Sequence, residues 1–339
     1  MADVKGANRR KPPVVGITAL VPPEMIYGAG WYPTDVNNWI PGSDARPRSK
    51  LCAWTASWRE AILKGEIALD ALVVVAGGDC HNALADGQAA ARKVPRTHFF
   101  FYPFDGDTGY LKEQLTALEA FLARGRVSEA VRSHKRRAIE KVAAAKRLGL
   151  RLDRARSDGR ADPERTFKLL VSFSDLEGDP VGFERKVREA LAKAGRQPAM
   201  AGPRVALIGV PPIYRDFHHV CAEAGLQVVF DELPYEFLRL GGKETGSLAR
   251  SYSTYTFARP VECRLDFLER ELKKRKVDGV IHYAQFTCHH LLEDGMLRER
   301  LGWPMLTVQG DLPGETPAQI RLRLEAFGEL LGAKRGVSK

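Results

Sequence analysis

Short β-rich runs alternate with helical stretches along this whole chain, and that alternation restricts the fold to parallel α/β architecture. In the first half the runs at 14–18, 32–36, 71–79 and 98–102 read as strands. In the second half the runs at 204–210, 226–230, 277–287 and 304–308 do the same. Helices are expected at about 22–27, 50–64, 81–92 and 108–123, and again at about 261–274 and 316–331. Val127, Val131, Ile139, Val142 and Leu148 recur near helical spacing, which predicts one long helix over 127–150 with Ser128 as its N-cap. Residues 151–165 turn charged and read as a linker or surface loop. The expected architecture is two Rossmann-like parallel-sheet domains, residues 12–126 and 199–335, joined by a helical region over 127–198.

At 339 residues the chain is long enough for two such domains, and 44% hydrophobic with 28% charged residues describes a globular protein. The polar N-terminal stretch has no apolar core of a secretory signal, and no apolar run is long enough for a membrane span. A cytoplasmic protein follows as the expectation. The net charge is +10, with a basic stretch over 126–160. That stretch reads as a solvated helix face or as a surface for an anionic partner. No aromatic residue interleaves its charges, which argues against single-stranded nucleic acid.

Three of the five cysteines stand where an open α/β sheet places ligands. Cys80 follows the run at 71–79 after Gly77 and Gly78. Cys288 ends the run at 277–287 and precedes His289 and His290. Cys52 opens a helix. No CxxC pair occurs, so the pattern is not a zinc ribbon or a ferredoxin. Three thiolates suit a [4Fe–4S] cluster with one iron open. A zinc site completed by His81, His289 or His290 competes with that reading, and so do three unrelated buried thiols. Cys221 and Cys263 sit among apolar neighbours and read as core thiols.

Several flanking segments carry a resemblance. They are residues 21–33 (VPPEMIYGAGWYP), Leu51-Cys52 with Ser57, and 69–74 (LDALVV) leading to Asp79-Cys80. The others are 277–281 (VDGVI) leading to Phe286-Thr287-Cys288, and Gly310-Asp311 followed by 319–327 (QIRLRLEAF). In this order and spacing they resemble the 2-hydroxyacyl-CoA dehydratase family, which includes the related subunits of ATP-dependent benzoyl-CoA reductase. The resemblance implies a [4Fe–4S] cluster between the two domains, with Cys52, Cys80 and Cys288 as ligands. It implies radical elimination of water from an acyl-CoA thioester, or electron relay or catalysis in a benzoyl-CoA-type reductase. It further implies a homologous second subunit, in a heterodimer or homodimer, and an ATP-dependent iron–sulfur activator that injects an electron. Glu24 is a candidate for moving a proton or holding the substrate hydroxyl, against a first-turn glutamate favoured by the helix dipole. His81 is a candidate for protonating the leaving hydroxide, against a polar loop residue. Arg321 and Arg323 read as ion-pair partners of Glu325 or Glu329. A non-redox anion- or nucleotide-binding α/β protein is the alternative of a different class.

Overall fold

The computed structural model describes residues 12–40, 47, 51–78, 80–123, 129–196, 200–240 and 247–337. Ser128 and Asp79 lie outside the described residues. The first sheet holds β1 (Val14–Ile17), β2 (Tyr32–Asp35), β3 (Ala71–Gly77) and β4 (Thr97–Phe101). The second holds β5 (Arg204–Gly209), β6 (Gln227–Asp231), β7 (Gly279–Gln285) and β8 (Met305–Gly310). All pairings are parallel. The orders are β2-β1-β3-β4 and β6-β5-β7-β8, the same winding twice. In each sheet the chain goes to one side of the first strand and returns on the other. A switch point therefore opens at the carboxyl ends of β1 and β3, and of β5 and β7.

The central strands explain their own burial. β3 reads ALVVVAG and is buried from Ala71 to Ala76, as a strand covered on both faces must be. β7, GVIHYAQ, is buried along its whole length although it carries a histidine and a glutamine. His282 is held by Asp294 at 2.7 Å, and Gln285 ends the strand where the site is built. Gly209 closes β5 at φ +93°, and a Cβ there would stand 2.1 Å from the carbonyl oxygen of Tyr283. Only glycine lets β5 and β7 approach this closely at their site end.

Two sequence expectations need correction. The long helix runs from Glu129 to Ser157, and the next begins at Pro163, so most of the expected linker is helical. The physical reason is that two of its charges, Asp153 and Arg156, point inward and are paired there. Asp153 and Arg156 are buried, Arg156 pairs with Asp153 (2.8 Å) and with Asp231 of β6, and Asp153 also holds Arg275 at 2.6 Å. The basic stretch is likewise not one solvated face. Arg136, Arg137, Arg147, Arg151 and Arg154 are exposed, while Lys146 and Arg156 are fully buried. This helix carries ion pairs to both halves of the molecule: Lys146 reaches Glu24 near the first sheet, and Arg156 reaches Asp231 in the second.

Asp35, the last residue of β2, caps the short helix that follows by accepting from the backbone N–H of Asn37 (3.0 Å). Its own backbone N–H donates to Asp175 Oδ2 at 2.8 Å. Burial pushes Asp35 up to about 6 and, with the nearby charge of Asp35 adding, pushes Asp175 up to about 7. The folded chain thus holds protons that the unfolded chain, with carboxyls near 3.8, releases. This contribution is complete at pH values below the unfolded pKa and is lost as pH rises through the folded values. Urea unfolding followed by circular dichroism should show stability falling, on the order of 4 kcal/mol, between about pH 5 and pH 8. Asp35→Asn should shrink that fall. A wild-type protein equally stable at both pH values would contradict the assignment.

Candidate functional site

One pocket gathers the three strand-end and helix-start cysteines. Cys80 stands three residues beyond the end of β3, with Gly78 turning the chain at φ +84°. Cys288 stands three residues beyond β7, its backbone N–H donating to Gln285 O at 2.8 Å. Cys52 precedes the helix Ala53–Lys64. All three line a cavity of about 110 Å³ together with Asn82, Gln285, His289 and His290. The rest of its wall is largely apolar and comes from both halves of the chain, including Leu20, Val210, Phe237 and Phe257.

Backbone contacts bring the halves together at the thiols. The N–H of Cys52 donates to Phe286 O at 3.1 Å, and Trp54 Nε1 donates to Pro211 O at 3.2 Å. Asn82 Nδ2 reaches Thr287 O at 3.4 Å. Two non-glycine residues here lie in the left-handed region: Cys52 at φ 44° and Thr287 at φ 66°. Each costs on the order of 1–3 kcal/mol, and such strain collects at ligand sites. The surrounding contacts hold Cys52 and Thr287 in place against it.

Burial dominates the electrostatics. It pushes the Cys288 thiol up to about 12, and the neighbouring Cys52 adds to the shift. A thiol in such a setting becomes a thiolate when a cation compensates it, which is what a metal ligand requires. All five cysteines are free, so no disulfide competes for the three. The thiol chemistry, the dry wall and the supply of ligands from three separate elements fit an iron–sulfur cluster. Among the described residues no three His, Cys, Asp or Glu side chains converge closely enough to hold one metal ion.

Gln285 brings an unused acceptor. Its Nε2 donates to Asp311 O, while its Oε1 is buried without a hydrogen-bond partner. An O–H or N–H of a bound molecule would satisfy it. His289 is half-buried, and its ring faces that of exposed His81 at 5.2 Å. Burial, with His290 and His81 adding, holds His289 down to about 4, so its ring is neutral at pH 7. His290 is buried and bonded to Glu293 at 3.1 Å. Burial opposes ionisation of Glu293, but His290 and Arg264 hold it down to about 2.

Behind the Cys288 turn lies an ionic lattice that the sequence did not signal. Arg264, 1% exposed, forks onto Glu232 through two bonds of 2.7 Å and also holds Glu293. Glu232 in turn accepts from Gly209 N at 2.7 Å. Together these contacts tie the Cys288 turn to β5. Arginine and glutamate scattered over sixty residues carry no local motif, so only the folded chain shows the lattice.

The other candidates lie elsewhere. Glu24 does not line the cysteine pocket. It is fully buried, paired with Lys146 Nζ at 2.7 Å, and accepts from the Tyr252 hydroxyl at 2.9 Å. Cys221 is buried, and burial raises its thiol far above the usual range. Cys263 is not a core thiol: it is half-buried in the first turn of the helix Val261–Lys274, 3.7 Å from Arg259 Nη2. Arg321 pairs with Asp216 and, at 3.4 Å, with Glu223, and Arg323 donates to Thr307 O, so neither meets the expected Glu325 or Glu329.

Two solved structures of the SBP FpvC from Pseudomonas aeruginosa, one in complex with Mn2+ and one with Ni2+, align at 12% identity. They cover 96% of this chain and 100% and 98% of theirs, with a TM-score of 0.25, too low to carry an argument. No curated protein matches the chain. The family model for 2-hydroxyglutaryl-CoA dehydratase, D-component, matches residues 18–331. That span contains every strand but β1 and all three pocket cysteines, and the chain belongs to the 2-hydroxyglutaryl-CoA dehydratase D-component family.

Proposed function

We propose that this chain is the iron–sulfur component of an activator-dependent 2-hydroxyacyl-CoA dehydratase, with Cys52, Cys80 and Cys288 holding a [4Fe–4S] cluster. The observation that carries this reading is the meeting of three free thiols from separate elements in one largely apolar pocket. When bound, such a cluster supplies an electron carrier and, at its fourth iron, a Lewis acid. The chain's own residues do the rest. Gln285 Oε1 accepts a hydrogen bond from the bound molecule and fixes its orientation. Phe237 and Phe257 help to keep water from the pocket. The His289 ring in the pocket and the His81 ring at the surface give a two-step path for a proton between the pocket and solvent.

The substrate in this reading is a 2-hydroxyacyl-CoA thioester. The partners are a homologous second subunit and an ATP-dependent iron–sulfur activator, as for a D-component. Relay of electrons within a benzoyl-CoA-type reductase uses the same pocket, and turnover assays with hydroxyacyl- and aryl-CoA substrates separate the two. Glu24 enters the chemistry only if its pair with Lys146 opens.

Protein purified without air is expected to be brown, with about four irons per chain and broad absorbance at about 400 nm. A colourless protein with one tightly held zinc would overturn the proposal. No helix among the described residues is long and apolar enough to cross a membrane.

A further inference from the structure

A second cavity, larger than the cysteine pocket, lies in the second half of the chain. It is an open cleft of about 1090 Å³, at the upper end of the range for small-molecule sites. Leu150, Leu238, Tyr235 and Phe267 give it an apolar floor, and four arginines (239, 250, 259 and 270) line it. Its two carboxylates are already engaged, Glu236 by Arg239 and Asp266 by Arg300. Among the described residues no carboxylate pairs with Arg250, Arg259 or Arg270, so the cavity carries a net positive charge.

Its polar groups are also incompletely used. Thr256, 6% exposed, has a hydroxyl with no hydrogen-bond partner, and Arg259 Nε has none either. Arg259 is nonetheless fixed in place. Its Nη1 donates to Ser253 O at 3.0 Å, and it packs so closely on Gly106 that a Cβ there would stand 1.9 Å from it. A fixed guanidinium with free donors, beside a buried hydroxyl, matches the oxygen array of a phosphate. The apolar floor next to it matches the face of a purine or a similar flat group.

The cavity also backs onto the cysteine pocket. Glu236 and Thr256 face the arginines, while their neighbours Phe237 and Phe257 line the pocket of the thiols. The two spaces are thus separated by a wall one residue thick.

We propose that this cavity binds a phosphorylated nucleotide group, with phosphates on Arg250, Arg259 and Arg270 and the base over Phe267 and Leu238. That group is either the nucleotide end of a CoA thioester, an identity that rests on the acyl-CoA function proposed above, or a free nucleotide.

Titration calorimetry on the full chain tests this with adenosine 3′,5′-bisphosphate, ADP, CoA and pantetheine as probes. The wild type is expected to bind at least one nucleotide probe and not pantetheine alone. The R250E/R270E variant is expected to weaken that binding by roughly tenfold or more per lost contact. Arg250 and Arg270 are exposed, so the variant keeps its fold, which circular dichroism checks. Competition between CoA and adenosine 3′,5′-bisphosphate identifies the nucleotide end of CoA as occupant. Binding of ADP without CoA identifies a free nucleotide. No nucleotide binding by the wild type, or equal affinity in R250E/R270E, overturns the proposal. Cys80→Ser, which tests the cluster, is expected to leave nucleotide affinity unchanged, so failure of the cluster reading shows separately.

Discussion

Cys52→Ser, Cys80→Ser and Cys288→Ser should each strip the protein of most of its iron and its absorbance at about 400 nm, and dehydratase turnover should fall with them. A serine hydroxyl is a hard, weakly acidic ligand and a poor replacement for a thiolate on iron. Losing one of three protein ligands should therefore exceed the roughly 10–100-fold that loss of an outer-shell partner costs. Cys263→Ser is the control. It is half-buried beside Arg259 and does not line the cysteine pocket, so iron content should stay at the wild-type level. Anaerobic iron and sulfide analysis of the four variants decides the matter. Full iron in any one of the three pocket variants would remove that cysteine from the ligand set.

Lys146→Met should be the most destabilising single change in the middle region. Lys146 and Glu24 are both fully buried, 2.7 Å apart, and the Tyr252 hydroxyl lies within 2.7 Å of the lysine and 2.9 Å of the glutamate. Burial lowers the lysine's pKa and Glu24 counters that shift. Removing the ammonium leaves a carboxylate in the interior with Tyr252 as its remaining donor, a loss of about 3–5 kcal/mol. Glu24→Gln leaves the lysine uncompensated and should cost a similar amount. The double variant Glu24→Gln/Lys146→Met removes both charges and should recover a large part of the loss. Urea unfolding of the three variants measures this coupling. Turnover by the double variant then decides the role of Glu24. Activity near wild type makes it a structural anchor, and a folded but inactive protein makes it a proton-transfer group.

Much of the fold was legible because each half is locally consistent. The runs around β3 and β7 read as strands in the sequence, and both are buried along nearly their whole length. The helix at 129–157 was cut short in the reading because its last turns are rich in charge. Arg156 looks solvated in a linear sequence, and only its contacts with Asp153 and Asp231 make its burial tolerable. Cys263 was misplaced for the opposite reason. Apolar neighbours suggested a core position, but the first turn of its helix opens onto the arginine-lined cavity.

The site divides in the same way. Cys80 and Cys288 were legible because both follow strand runs, and strand ends are where such sheets bind ligands. The Arg264–Glu232–Glu293 lattice was not, since charged pairing between distant segments leaves no periodic trace. The sequence by itself determined the doubled α/β winding and the three cysteines at its turns, because hydrophobic period and turn chemistry are local properties. Only the tertiary structure decided that those cysteines line one pocket, that Glu24 is tied to Lys146, and that four arginines surround a separate cavity. These are long-range facts, set by how two sheets and a connecting helix pack, and no local pattern encodes them.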